Sequence, residues 1–132
     1  MQCGFIIERQ HDSIAVVCSF PGQAGLRKRV DFSADGSIGV SFQWDPSGGH
    51  PEDLFTSELS LIAPLEIRSD PAAEQWSFPI ETVAKSERGL DRTKQGDSIT
   101  LRWPLSSGEA RLQLAPNRVS EAQELQAAHI LY

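Results

Sequence analysis

At 132 residues and 39% hydrophobic content, the chain has the size and apolar fraction of one domain. Twelve basic against eighteen acidic residues leave a net charge of −6, which repels a phosphate backbone and argues against nucleic-acid binding. Ten glycines and eight prolines are punctuation for many turns rather than the composition of a disordered tail. No apolar run approaches the roughly 18 residues of a membrane span. The N-terminus has no charged-then-apolar leader pattern, so the expected setting is cytoplasmic, with no membrane partner.

Alternation of apolar and polar residues, the period of a strand with one buried face, dominates the chain. Residues 13–20 read as a buried strand around Ile14-Ala15-Val16-Val17-Cys18, in which Cys18 acts as a small hydrophobe. Cys3 and Cys18 can pair only if their strands lie side by side, and two thiols make neither a disulfide framework nor a CxxC zinc motif. Arg27-Lys28-Arg29 is too narrow for a nucleic-acid footprint and reads as a solvated strand start. Val30-Asp31-Phe32 alternates, and Ala34-Asp35-Gly36-Ser37 is a turn in which the glycine supplies the positive φ of a tight hairpin. The next strand, residues 38–44, places Ile38, Val40, Phe42 and Trp44 on one face.

Residues 45–51 form a loop by composition. Leu54-Phe55 and residues 58–62 make a further strand, stopped at Pro64, and residues 66–68 a short one before Ser69-Asp70-Pro71. Residues 76–83 read as a strand that Pro79 confines to an edge or a bulge. Gly89 marks a turn. Strands at 90–95, 98–103 and 110–114 follow, with turns expected at Gln95-Gly96-Asp97 and Ser106-Ser107-Gly108. Eight or nine short strands between turn residues predict an all-β, antiparallel sandwich. At the end, the capping pattern Ser120-Glu121-Ala122-Gln123 and the helix formers after it predict a short C-terminal helix or a flexible tail over 118–132.

Chemistry-bearing motifs are sparse. His11, His50 and His129 are far apart, with no HxxxH or HxH pair, so no metal site is expected. GxSxG, SxxK and a phosphate loop are all missing. Two features stand out. Glu58, inside Phe55-Thr56-Ser57-Glu58-Leu59-Ser60-Leu61, lies opposite the apolar positions, on a sheet face where it meets solvent, a neighbouring strand or a ligand. Residues 82–96 concentrate hydrogen-bonding groups, either for a ligand or for a structural turn. The tryptophans Trp44, Trp76 and Trp103 fit core positions, and Trp44 and Trp76 also stand beside polar segments where a ring could be offered to a sugar.

Four stretches carry a family resemblance. Trp76-Ser77-Phe78-Pro79-Ile80-Glu81-Thr82-Val83, Ser86-Glu87-Arg88-Gly89-Leu90, Gln95-Gly96 and Trp103-Pro104-Leu105 together resemble the C-terminal β-domain of family 57 glycoside hydrolases, which include α-amylases and 4-α-glucanotransferases. Phe55-Thr56-Ser57-Glu58-Leu59-Ser60-Leu61 is similar to an upstream strand of that domain. Residues 28–40 fit more loosely, and the likeness as a whole runs over residues 27–114. It implies a shortened supersandwich of the galactose-mutarotase type beside a catalytic (β/α) barrel that holds the nucleophile and acid. Hence no catalytic residue, cofactor or metal is carried over. Glu58, Ser86, Glu87 and Gln95 match recurrent polar positions of the family and, with Trp44 and Trp76, are the candidate carbohydrate-binding residues.

The expectation is one β-sandwich domain over 1–132: a non-catalytic accessory domain of an α-glucan-active enzyme. It would support the catalytic domain of a parent enzyme and contact an oligosaccharide. A stand-alone carbohydrate-binding module, a protein-interaction domain and a small hydrolase with paired carboxylates are the other readings of the same residues.

Overall fold

Successive side chains leave a strand on opposite faces, so alternating sequences bury one side and wet the other. The computed structural model describes residues 4–22 and 25–116. Among the described residues it has nine strands: β1 (Gly4–Arg9), β2 (Ser13–Phe20), β3 (Leu26–Ser33), β4 (Ile38–Gln43), β5 (Leu54–Leu61), β6 (Leu65–Asp70), β7 (Glu74–Ser86), β8 (Gly89–Pro104) and β9 (Glu109–Pro116). They form two antiparallel sheets. The larger has the order β1-β2-β3-β4-β9-β6 and the smaller β5-β8-β7.

The expected β3–β4 hairpin is present, with Phe32 opposite Ile38 and Gly36 at φ 86° in its turn. The Asp35 carboxylate accepts from the Ser37 backbone N–H at 2.9 Å. Asp45 repeats the device after β4, accepting from the backbone N–H and the hydroxyl of Ser47, and these bonds hold its carboxyl below the usual carboxylate range.

The core lies where the smaller sheet covers the larger. Val40, Phe42 and Trp44 on one side, with Ala110 and Leu112, meet Ile99, Leu101 and Trp103 of β8. Phe55 of β5 fills the centre: its ring stacks on Trp44 at 4.2 Å between centroids and tilts against Phe42 at 5.1 Å. Both buried indoles keep their N–H satisfied, Trp103 by donating to the Pro71 carbonyl at 2.9 Å and Trp44 by donating to the Leu105 carbonyl at 2.6 Å. The smaller sheet is only three strands wide, so the same face of the larger sheet continues uncovered past β3. Phe5, Ile7, Ile14 and Phe32 stand exposed there.

Three details differ from the sequence reading. β8 is one strand of 16 residues, not two strands with a turn at Gln95-Gly96-Asp97. Gly96 serves close packing instead: a Cβ at this position would overlap the Leu61 carbonyl oxygen where β8 passes the end of β5. Next to it, Ile80 faces Gly96 and Glu81 faces Lys94, which leaves Gln95 as the extra residue of a bulge. Pro79 lies in β7, the edge strand of its sheet, as its missing N–H requires. The third difference is β1, whose Phe5-Ile6-Ile7 run does not alternate, so that pairing with β2 at the sheet edge is what makes it a strand. The reading of 118–132 as helix or tail, and the partner thiol Cys3, lie outside the described residues.

Past the bulge, β7 and β8 continue as a two-stranded arm that β5 does not reach, since β5 pairs with β8 only from Asp97 to Pro104. The arm, residues 80–95, is exposed on both faces.

Gly96→Ala is expected to lower unfolding free energy by about 1–3 kcal/mol through overpacking against Leu61; a urea melt with an unchanged midpoint would rule out the close approach as a constraint. Trp44→Ala is expected to cost about 3–5 kcal/mol, as for a large core aromatic, read in the same melt.

Candidate functional site

Residues directly opposite each other on antiparallel strands share a face. On the outer face of the smaller sheet this rule builds three rows. Thr56, Arg102 and Glu74 form the first, Glu58, Thr100 and Trp76 the second, and Ser60, Ser98 and Phe78 the third. Glu58 and Trp76, two candidates from the sequence, are therefore brought together on either side of Thr100. Two strand spacings separate them, about 10 Å.

Trp76 is 47% exposed, and its orientation is fixed on three sides. Its indole N–H donates to the Glu74 carboxylate at 2.9 Å. The Arg102 guanidinium lies over the ring, 5.3 Å from its centroid, and reaches the other Glu74 oxygen at 3.8 Å. Phe78 tilts against it with centroids 6.4 Å apart. Each of these surface contacts is worth at most about 1 kcal/mol alone. Together they hold an aromatic ring upright among short hydroxyl side chains. Apolar ring carbon flanked by hydroxyls, a carboxylate and a guanidinium suits stacking and hydrogen bonding to a ligand or to another protein surface.

The remaining candidates lie elsewhere. Ser86 is at the tip of the arm, about 33 Å along the strand from Trp76 at the rise of a β-strand. Its hydroxyl accepts from the Arg88 backbone N–H and donates to the Gly89 carbonyl, both at 3.3 Å, so it shapes the turn. Glu87 is exposed in that turn. Gln95, on the bulge, donates from its amide to the Thr82 hydroxyl at 3.1 Å and braces the base of the arm. Trp44 is corrected outright: stacked on Phe55 and buried, it has no ring face to give a ligand.

Glu74, Phe78, Thr100 and Arg102 complete the face without being singled out by sequence pattern. Alternation of Glu74, Trp76 and Phe78 places those three on one side. The positions of Thr100 and Arg102 depend on the β7–β8 register, which the bulge shifts by one residue. Among the described residues, no group of three or more His, Cys, Asp or Glu side chains is arranged to hold a metal ion. No described helix is long and apolar enough to cross a membrane.

Comparison with known proteins agrees with this architecture. The chain is 42% identical over 87 residues to a 4-alpha-glucanotransferase of Thermococcus kodakarensis, a match covering 65% of this chain and 13% of that protein. It is 37% identical over 60 residues to the 4-alpha-glucanotransferase of Thermococcus litoralis, covering 42% of this chain and 9% of the relative. An alpha-amylase of Pyrococcus horikoshii matches at 32% over 59 residues, with the same two shares. The chain thus spans about a tenth of the length of the curated relatives it matches. The crystal structure of the Thermococcus litoralis 4-alpha-glucanotransferase shares its fold, with a TM-score of 0.50 and 20% identity, over 84% of this chain and 22% of that one. Residues 31–115, from the middle of β3 to the last residues of β9, match the family model described as "Alpha-amylase/4-alpha-glucanotransferase, C-terminal". With most of its sandwich inside that match, the chain belongs to the alpha-amylase/4-alpha-glucanotransferase C-terminal domain family.

Proposed function

We propose that this chain is a non-catalytic accessory β-domain of an α-glucan-active glycoside hydrolase or glucanotransferase. It supports a separate catalytic domain, and its Trp76 face contacts either that domain or an oligosaccharide. The observation that carries this reading is the row of large apolar side chains left exposed along the smaller sheet and its arm. Trp76, Phe78 and Ile80 alternate along β7 on one face, all of them exposed. Contiguous apolar surface on a folded domain marks a contact site. The short share of the relatives' length that the chain matches supports the same reading, because most of those proteins lies outside this domain.

The geometry at Trp76 favours protein docking over a two-sided sugar clamp. Arg102 already occupies one side of the indole, which leaves one ring face for stacking.

Tryptophan fluorescence of the isolated chain, titrated with maltoheptaose against cellohexaose, separates the two contacts. A saturable response to the α-glucan alone that is absent in Trp76→Ala supports the oligosaccharide contact. No response up to millimolar sugar removes that contact and leaves docking. Trp76→Ala is expected to cost about 1–2 kcal/mol through its contacts with Glu74, Arg102 and Phe78, and a urea melt showing that the variant is folded at the titration temperature separates a lost response from unfolding. Incubated with maltoheptaose, the chain is expected to release no shorter or longer maltooligosaccharides. Their appearance by chromatography would overturn the non-catalytic reading.

A further inference from the structure

One edge of the six-stranded sheet carries a feature that the accessory role does not use. Among the described residues β1 is the outermost strand there and pairs on one side only, with β2. The hairpin joining the two sets which backbone groups of β1 are committed. The Gln10 N–H donates to the Ser13 carbonyl at 2.9 Å, so these two residues form a hydrogen-bonded pair. Along antiparallel strands such pairs alternate with non-hydrogen-bonded ones. Ile6 and Glu8 therefore bond across to Val17 and Ala15, while the N–H and C=O groups of Phe5, Ile7 and Arg9 point away from the sheet.

An edge of this kind templates a further strand unless something blunts it. The other edge strands carry such devices. β6 has the ion pair of Glu66 with Arg68, β7 has Pro79 and a bulge, and β5 has Glu58 in mid-strand. β1 has no proline, no lysine and an unbroken register, and its charges are confined to its last two positions. One of them, Glu8, is held by Arg29 at 2.9 Å. The centre of the strand is Phe5-Ile6-Ile7, with each side chain more than half exposed. Phe5 and Ile7 lie on one face of the sheet and Ile6 on the other.

We propose that β1 pairs antiparallel with β1 of a second copy of this chain, about a two-fold axis at Ile6. Bonds across the seam form only between outward-pointing residues, which leaves few registers. With the axis at Ile6, Phe5 lies opposite Ile7 of the second copy and Ile7 opposite its Phe5, each pair exchanging two backbone hydrogen bonds. Ile6 meets its own counterpart on the other face, and no like charges are opposed. An axis at Ile7 would instead set Phe5 against Arg9 and Ile6 against Glu8. The same three apolar residues thus supply both sides of the seam, as a closed two-fold contact requires. The pairing joins the two large sheets into one, and the row Val30, Val16, Ile7 runs on into Phe5 and Cys18 of the second copy. A six-residue strand is well short of the roughly 20 residues a side of a stable interface, so monomer and dimer are expected to exchange in the micromolar range.

The test is sedimentation velocity of the whole chain across the micromolar range, with circular dichroism to show that each variant is folded. Expected is a concentration-dependent passage from monomer to dimer, with no larger species. Ile7→Pro removes an outward N–H and spares the bonds to β2, and Ile6→Lys sets two like charges against each other at the axis. Each is expected to weaken the dimer about tenfold or more. If Ile7→Pro does not fold, Ile6→Lys and cross-linking are read without it. Cross-linking reports the register. In a Cys3→Ser, Cys18→Ser background, Ile6→Cys is expected to give a disulfide-linked dimer under mild oxidant, because directly opposed non-hydrogen-bonded residues lie about 4.5 Å apart at Cα. Glu8→Cys in the same background is expected to stay monomeric. Monomer throughout the range, a dimer that persists undiminished in folded β1 variants, or equal cross-linking from positions 6 and 8 overturns the pairing. Monomer with the Phe5 and Ile7 amides protected from hydrogen exchange also overturns it, and assigns the edge to another segment of the same chain.

Discussion

The contact on which the two sheets depend is the ring of Phe55. It comes from the edge strand of the smaller sheet and stacks on Trp44, which follows β4 in the larger one. Phe42 and Trp103 close the cluster at 5.1 and 6.0 Å from it. Stacked and tilted aromatic pairs contribute about 0.5–1.5 kcal/mol each beyond the area they bury. They also fix the rotation of one sheet over the other, because a ring seated between two indoles has few alternative placements. The two indole N–H bonds, to Pro71 and Leu105, then tie the loops after β6 and β8 to the same cluster. The surface features follow from that seating. The outer face of the smaller sheet presents Trp76 because its inner face is committed to this core.

Unequal sheet width is the second constraint. A three-stranded sheet cannot cover six strands, so apolar side chains of β1, β2 and the end of β3 remain at the surface beside the core. On the smaller sheet the mismatch takes another form. β7 and β8 outrun β5 and go on as an arm with no strand beside it. Exposed apolar residues thus occur on the uncovered part of the larger sheet, on the arm and on the outer face of the smaller sheet, where Phe78 and Ile80 alternate with Trp76 along β7.

Much of the fold is legible because strand periodicity is short-range. The face holding Ile38, Val40, Phe42 and Trp44, the turn at Gly36, the edge placement of Pro79 and the alternation around Glu58 all follow from a few neighbouring residues. What escaped is set by distant parts of the chain. Gly96 looks like a turn residue on local criteria, yet it is there because the Leu61 backbone passes close by. Trp44, next to a glycine-rich loop, reads as a platform for a ligand until Phe55 covers its ring. Of the candidate residues, Glu58 and Trp76 meet on one face through β8, whereas Ser86, Glu87 and Gln95 serve the arm's turn and bulge. The meeting of Ser41 with Arg111 also depends on the pairing of β4 with β9, strands about seventy residues apart in sequence, which no local pattern announces.

The continuity of β8 has a mechanical consequence. One strand runs from the arm's tip through the bulge to Trp103, the completely buried indole at the centre of the core. The arm is therefore an extension of a core strand, not a separate loop. A surface resting against it would meet a two-stranded ribbon whose direction is decided by the core and by the bulge at Gln95. A force applied at Ser86 would be carried along the backbone to the aromatic cluster before it could be dissipated in solvent.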